Sequence, residues 1–197
     1  MELTLQTGND APQQARFDAV VLCAGVSSAA LAQPLGLQIP LVAVYGHSIS
    51  LSLREAMDAP VSGVMDERFK VAISRMGQRV RVAGGAEIGG RLAQHNERAL
   101  QTLHQVLSDW YPGAARHGRM GGQIQTWKGA RPMLPDRPPL VGASGVPGLW
   151  LNLGHGSSGW ALSCGSARVL ADAVAGRAAP IETGALTALP TPATAPA

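Results

Sequence analysis

Residues 149–159 read LWLNLGHGSSG, a strand-like run that leads into a glycine-rich turn. Leu149–Leu153 predicts a strand, and the turn Gly154–Gly159 matches the spacing G-x-G-x-x-G. The periodic residues that follow predict a helix from Ser157 to Ala175. Glycines let backbone N–H groups approach a ligand, and a helix N-terminus attracts an anion. The stretch therefore predicts a strand–turn–helix unit that can bind a ligand.

This turn differs from an ordinary dinucleotide fingerprint. The fingerprint requires a second parallel strand about 20 residues further on, ending in an acidic residue. Here that position holds residues 175–180, AGRAAP, which cannot form the strand. An ordinary pyrophosphate loop is therefore not predicted. A tight turn that serves packing alone remains the alternative to a ligand-binding turn.

The remaining chain predicts a mixed fold. Residues 17–25, FDAVVLCAG, are apolar on both faces of a strand and predict a buried parallel strand. Residues 1–7, MELTLQT, predict one strand of a hairpin whose partner lies outside the sequence. Short runs between Pro40 and Gly85 predict an antiparallel sheet with one solvated face. These runs are Leu41–Tyr45, Ser48–Leu53, Val61–Met65, Lys70–Arg75 and Arg79–Ala83.

Two helices and two further strands complete the prediction. Asn96 is expected to cap a helix from Glu97 to about Trp110, which Pro112 ends. Strands are predicted at Gln123–Trp127 and at Leu149–Leu153. The final helix is expected to bury one apolar face and to end at a glycine. That face comprises Leu162, Val169, Leu170, Ala173 and Val174, and the glycine is Gly176.

Composition excludes several classes of protein. With 46% hydrophobic and 15% charged residues in 197, the chain is not generically disordered. Its net charge of +3 and singly scattered arginines predict no nucleic-acid partner. The sequence contains neither an apolar run long enough for a membrane span nor a signal segment. Cys23 and Cys164 are predicted to be buried thiols rather than disulfide or metal ligands.

A second motif is WKGARPMLPD, residues 127–136. Because Arg131 precedes a proline, its backbone is expected to be extended. An arginine at a strand end can bind a carboxylate through two parallel hydrogen bonds. An ordinary surface arginine is the alternative.

Four stretches, in this order, resemble the C-terminal half of D-amino-acid dehydrogenase small subunits, within the D-amino-acid oxidase-like family of FAD-dependent amine oxidoreductases. The last two stretches, in their correct spacing, are the specific ones. The stretches are FDAVVLCAGVSS (17–28); PVSGVMDE (60–67) with KVAI (70–73) and RVAGGAE (81–87); WKGARPMLPDRPPLVGAS (127–144); and LWLNLGHGSSGWALSCGSARVLAD (149–172).

The resemblance implies roles for particular residues. Ala24 and Gly25 match the strand end near the FAD phosphates, and Arg131 matches the arginine that binds the substrate carboxylate. The segment that wraps the flavin ring corresponds to Gly154, His155, Gly156, Ser157, Ser158, Gly159, Trp160 and Ala161. No general base is identified and no metal is expected. His47 is either a wall of the active site or, as the preferred interpretation, a packed histidine.

The order of the predicted elements indicates an α+β chain that contributes to two layers of a larger protein, and the resemblance implies how its parts are arranged. The expected parts are a remnant of an FAD-binding α/β domain (1–39), a substrate domain with an antiparallel sheet and a helix (40–130), a return to the FAD-binding domain (131–177) and a disordered tail (178–197). The family's N-terminal βαβ dinucleotide unit has no counterpart before Phe17. The chain is therefore expected to be a fragment that needs an N-terminal half in cis or in trans.

The implied activity is FAD-dependent oxidative deamination of D-amino acids, such as D-alanine, to 2-oxo acids and ammonia. Electrons would pass to a membrane quinone or another acceptor, and the protein would be cytoplasmic or peripheral to the inner membrane. A glycine, sarcosine or proline oxidase of the same family is one alternative. A non-catalytic remnant or interaction module is another. Intact Arg131 and Gly154–Gly159 favour an enzyme.

Overall fold

The computed structural model describes residues 1–135 and 137–187, which divide into two compact units. The first, called the three-strand unit, consists of Met1–Val42 and the described part of Arg131–Ala197. Ala43–Ala130 form the other, the five-strand unit.

The strands and helices follow the chain in this order. The strands are β1 (Glu2–Leu5), β2 (Gln13–Arg16), β3 (Val20–Leu22), β4 (Val42–Ser52), β5 (Val64–Asp66), β6 (Val71–Met76), β7 (Arg79–Ile88), β8 (Ile124–Met133), β9 (Leu140–Ala143) and β10 (Leu149–Leu153). The α-helices are α1 (Ser28–Ala32), α2 (Glu97–Trp110), α3 (Pro112–Arg119), α4 (Gly159–Val174) and α5 (Gly184–Thr187). Single 3-10 turns lie at Gly25–Ser27, Gln33–Leu35, Ala56–Asp58 and Gly156–Ser158.

The three-strand unit is built on a sheet in the order β3-β10-β9, with β3 parallel and β9 antiparallel to β10. Alternation along β10 sends its leucines to one face, where they join the main core of this unit. On the other face Trp150 packs against a smaller cluster of Val141, Val169 and Leu170. The helix α4 thus lies against one side of this sheet.

Three expectations about this unit were wrong. The partner of the first hairpin strand is in the sequence, since β1 pairs with β2 in antiparallel register from Glu2–Arg16 to Leu5–Gln13. The strand β3 is parallel, as predicted, but Val21 is exposed, because only the face of β3 that carries Leu22 is covered by the core. Cys23 and Cys164 are both exposed rather than buried.

The helix α4 confirms the strand–turn–helix prediction and corrects its details. A 3-10 turn precedes the helix, whose bounds are Gly159–Val174. Of the predicted apolar face, Val169 and Leu170 are buried, whereas Leu162 and Val174 are exposed. Gly176 follows the helix with φ +66°, as a terminating glycine does.

The expected disordered tail is ordered in its first part. Residues 184–187 form α5, and Leu186 packs against the cluster that contains Val141. Thr187 lies close to Gly142, where an added Cβ would be 2.7 Å from Thr187 Cγ2. Residues 188–197 lie outside the described part of the chain.

The five-strand unit has the sheet order β5-β6-β7-β4-β8, and its β5–β6, β6–β7 and β7–β4 pairs are antiparallel. Alternating residues of β6 and β7 point into the core, as the sequence predicted. They meet the apolar stripe of α2 and two alanines of α3. The core consists of Ile49, Leu51, Ala59, Val71, Ile73, Val80, Val82, Leu100, Leu103, Val106, Leu107, Ala114 and Ala115.

The predicted helix α2 is confirmed at both ends. Asn96 Oδ1 accepts a hydrogen bond of 3.1 Å from the Ala99 backbone N–H, which satisfies one free donor of the first turn. The two strands predicted at 41–53 are one strand, β4, with an irregularity in its pairing between Tyr45 and His47. Pro112 begins a further helix, α3, because proline is tolerated at a first helical position.

Candidate functional site

The turn after β10 depends on two glycines with positive φ. Gly154 has φ +80°, and a Cβ there would lie 2.2 Å from Leu134 Cδ1. Gly156 has φ +57°, and a Cβ there would lie 2.6 Å from Met133 Sδ. Met133 also forms an isolated antiparallel bridge with His155. The segment at the end of β8 therefore packs so closely on the turn that both positions require glycine.

A cavity of about 240 Å³ opens beside this turn. It is formed by the ends of β3 and β10, the turn, and one side of α4. Its lining residues are Cys23, Gly25, Pro132, Asn152, Leu153, Gly154, His155, Gly156, Gly159, Ser163 and Ser166. All of them belong to the three-strand unit. The wall is rich in glycine and serine, so backbone groups are accessible to a ligand.

Two buried polar atoms lie in the lining side chains. Asn152 Oδ1 and His155 Nε2 have no hydrogen-bond partner within the described residues. Burial lowers the pKa of His155, so the ring is neutral at pH 7 and can either donate or accept. Buried polar atoms are seldom left without partners in folded proteins. A polar ligand in the cavity could supply partners for both.

The N-terminus of α4 also contributes to the site. The first backbone N–H groups of a helix lack partners within the helix and carry a partial positive charge. The Ser158 side chain forms no capping hydrogen bond here, and the first turn contains no acidic residue. An anionic group would therefore be stabilised at this end of the helix.

Arg131 lies in β8, and its backbone is extended, as the sequence predicted. Its neighbour Pro132 lines the cavity, and Met133 bridges to His155. Arg131 itself is half-buried and does not line the cavity.

The predicted cofactor residues fall into two groups. Gly25, Gly154, His155, Gly156 and Gly159 line the cavity. Ala24, Ser157, Ser158, Trp160 and Ala161 do not, and the Trp160 side chain is 95% exposed. Their roles remain predictions.

Sequence reasoning missed the cavity residues Cys23, Asn152, Ser163 and Ser166. The two serines could have been found from helical spacing, because residues 159, 163 and 166 lie on one face of α4. Asn152 gave no such signal, since its unpartnered oxygen is visible only in the tertiary structure.

A second polar cluster occurs in the five-strand unit. His47 is buried in β4, with Nε2 3.4 Å from Glu87 Oε2, which agrees with the packed-histidine interpretation. Lys128 Nζ lies 3.0 Å from the same oxygen. Sequence reasoning did not predict this ion pair between Lys128 and Glu87.

Two kinds of feature are absent from the described residues. No group of three or more His, Cys, Asp or Glu side chains is placed to hold a metal ion. Within the same residues, no helix has the length and apolar composition needed to cross a membrane.

Comparison with known sequences identifies relatives for most of the chain. Residues 3–173 match the family model described as "DAO: FAD dependent oxidoreductase". A D-amino acid dehydrogenase of Cereibacter sphaeroides is 47% identical over 169 residues, covering 86% of this chain and 38% of the relative. Its counterpart in Bradyrhizobium diazoefficiens is 43% identical over 173 residues, covering 86% and 39%. The chain thus spans less than half the length of these curated relatives.

Solved structures share the fold at low sequence identity. Iminodiacetate oxidase from Chelativorans sp. BNC1 matches with a TM-score of 0.74 and 24% identity, over 89% of this chain and 47% of that one. Glycine oxidase from Geobacillus kaustophilus matches with a TM-score of 0.73 and 20% identity, over 88% and 46%.

Proposed function

Because this chain belongs to the DAO family of FAD-dependent oxidoreductases, we propose that it forms part of an enzyme that oxidises D-amino acids to 2-oxo acids and ammonia. Relatives named D-amino acid dehydrogenase, at 43% and 47% identity, support the substrate class. Since those relatives are much longer, the rest of the enzyme would be supplied in the same polypeptide or by a partner chain. Electrons would pass to a quinone-type or other acceptor.

The glycine-lined cavity is the observation that carries this proposal, because its residues fit one end of an FAD molecule. Gly25 has positive φ and open space where a side chain would stand, while Gly154 and Gly156 line the cavity with their backbone. The N-terminus of α4 suits a group that gains negative charge. Asn152 Oδ1 and His155 Nε2 are buried atoms that need partners. A flavin ring offers both donors and acceptors at its edge.

Bound FAD would supply the redox chemistry by accepting a hydride from the α-carbon of the amine. The chain's own residues would bind and orient the substrate and the cofactor. The Arg131 guanidinium would hold the substrate carboxylate through two parallel hydrogen bonds. The first-turn N–H groups of α4 would stabilise negative charge that develops beside them. Neutral His155 would form a hydrogen bond without adding charge.

A substrate panel tests the activity directly. The coding sequence for this chain, completed with an N-terminal half joined in frame or co-expressed, should yield a flavoprotein. It should reduce an artificial dye acceptor with D-alanine and other D-amino acids. Preference for glycine, sarcosine or proline would replace the substrate class with that of an amine oxidase. A flavin-free protein without activity on any amine would contradict the proposal.

A pair of glycine variants tests the cavity separately. Gly156→Val should abolish flavin binding in the completed enzyme, because the added side chain would meet Met133 Sδ and displace the backbone that Gly156 contributes to the cavity lining. Gly145→Val is the matched control. Gly145 also has positive φ, +86°, but an added Cβ there meets nothing within 4 Å.

Both variants incur the cost of a non-glycine residue at positive φ, about 1–2 kcal/mol. Only Gly156→Val should lower the flavin content, measured by absorbance against protein concentration. Full flavin occupancy in Gly156→Val would show that the turn serves packing alone.

A further inference from the structure

The chain contains two lysines with opposite environments. The Lys70 side chain is 77% exposed and pairs with Glu67, three residues earlier in the chain. The Lys128 side chain is 1% exposed. Removing an ammonium group from water is costly unless its charge and hydrogen bonds are satisfied. A buried lysine therefore needs specific partners.

Lys128 has three such partners, each from a different part of the five-strand unit. Its Nζ lies 3.0 Å from Glu87 Oε2 at the end of β7. It donates a hydrogen bond of 2.7 Å to the Gln94 carbonyl in the connection to α2. It also lies 4.6 Å from the ring centroid of Tyr45 in β4, within the range of a cation–π interaction. One side chain thus joins β8 to β7, β4 and a loop.

Within the five-strand unit, the strand that carries Lys128 has few buried side chains. β8 is an edge strand, with β4 as its neighbour in the sheet. Of its ten residues, all of them described, only Lys128 is buried, and the four before it are exposed. Buried apolar side chains that would otherwise define the register are therefore missing from residues 124–130, whereas Met133, at the other end of the strand, packs against Gly156.

A shift of one residue would turn every side chain of β8 to the opposite face of the sheet. The ammonium of Lys128 would then lose Glu87 and Gln94, and Glu87 would retain a poorly solvated charge. Buried polar pairs are best attested in proteins as devices that fix register. The Lys128 contacts are suited to that role.

We propose that Lys128 is a positioning residue that fixes the register of β8 and, with it, the place of Arg131 three residues further along the same strand. This inference rests on the proposed role of Arg131 as the substrate-carboxylate ligand. Lys128 acts through the strand and does not itself contact substrate.

The test uses the completed enzyme with Lys128→Met, which keeps the length of the side chain and removes its charge. We expect the KM for D-alanine to rise roughly tenfold while kcat changes less than about threefold, as for a lost ground-state contact. Amide hydrogen exchange in a peptide covering residues 124–133 should become faster. Lys70→Met, the same change at the exposed lysine, should alter neither measurement.

A double variant separates positioning from simple stability. Lys128→Met alone leaves Glu87 without its cation and can reduce folding yield. Glu87→Gln with Lys128→Met removes both charges, so thermal stability should recover while the KM stays high. A wild-type KM in the double variant would overturn the proposal.

The design also separates this proposal from the proposed function. If the wild-type enzyme turns over no amine, the proposed function is rejected. The hydrogen-exchange measurement alone then tests whether Lys128 fixes the register of β8. Unchanged protection of residues 124–133 in both variants would then overturn the positioning role. If turnover is normal but KM and protection are unchanged in both variants, only the positioning role fails.

Discussion

The two units of the chain build their cores differently. In the five-strand unit, α2 and α3 pack on one face of the sheet, and one cluster of buried residues includes Ile73 and Leu107. In the three-strand unit the buried residues form two clusters, and α4 contributes to the smaller one, on the face of β10 that carries Trp150. Both units leave large apolar side chains exposed, such as Trp160 in the three-strand unit and Ile88 in the five-strand unit. The comparison indicates that the core of the unit containing the candidate cofactor site is divided between the two faces of a small sheet.

The largest expected effect concerns flavin retention. Residues 1–197 expressed alone should purify without flavin and without D-alanine dehydrogenase activity, and should be poorly soluble or oligomeric. The physical reason is that one cavity at the three-strand unit can grip only part of a long cofactor. Co-expression with an N-terminal half should restore both colour and activity. A yellow, active and monodisperse 197-residue protein would contradict the proposal that flavin binding and activity need an N-terminal half.

The second effect compares core substitutions in the two units. Leu107→Ala should lower the free energy of unfolding by about 2–5 kcal/mol, because it leaves a cavity in a closed core. Leu31→Ala, at an exposed leucine of the three-strand unit, should change it by less than about 0.5 kcal/mol. Denaturant unfolding of the completed enzyme measures both. A loss of comparable size at Leu31 would show that the remaining protein covers this leucine.

The third prediction concerns substrate binding rather than stability. Arg131→Leu should weaken substrate binding by roughly 1.5–3 kcal/mol, the value of a lost charged hydrogen bond. The KM for D-alanine should therefore rise by about one to two orders of magnitude, while the flavin content stays unchanged. Steady-state kinetics with flavin quantification provides the measurement. Unchanged kinetics would remove Arg131 from the substrate site.

The smallest effect is a pH dependence that both units should share. Hydrogen bonds from Arg168 and then Arg177 lower the pKa of Asp172 below its usual 3.8, and the Trp110 side chain does the same for Asp66. Each folded-state pKa lies below the unfolded one, so each carboxylate stabilises the fold above the unfolded value. This contribution is lost as the pH falls through the folded value.

Asp172→Asn and Asp66→Asn are the corresponding variants. Each variant should have a lower free energy of unfolding than the wild type near neutral pH. The difference should shrink as the pH falls below about 4. Unfolding curves measured across this range provide the test. If the difference for a variant stays constant with pH, the contribution of that carboxyl group to the free energy of unfolding does not depend on its charge.

The amino-acid sequence alone determined those helices and strands that are stabilised by contacts between residues close together in the chain. Helix α2 was predictable because Asn96, the first turn and the apolar stripe from Leu100 to Leu107 act within a few residues of one another. The strand–turn–helix at residues 149–174 was predictable for the same reason. Alternation revealed the antiparallel strands β6 and β7. The resemblance, rather than periodicity, supplied the candidate roles of Arg131 and His155.

The tertiary structure decided what depends on partners distant in sequence. Strand β9 lies within a Pro/Gly-rich stretch, and only pairing with β10 makes it a strand. Cys23 is exposed because it lies two residues after exposed Val21, opposite buried Leu22, and which of the two faces is covered is not encoded in residues 17–25. Lys128 is buried because Glu87 and Gln94 meet it from elsewhere in the chain. Burial and charge pairing arise from long-range packing, so local propensity could not reveal them.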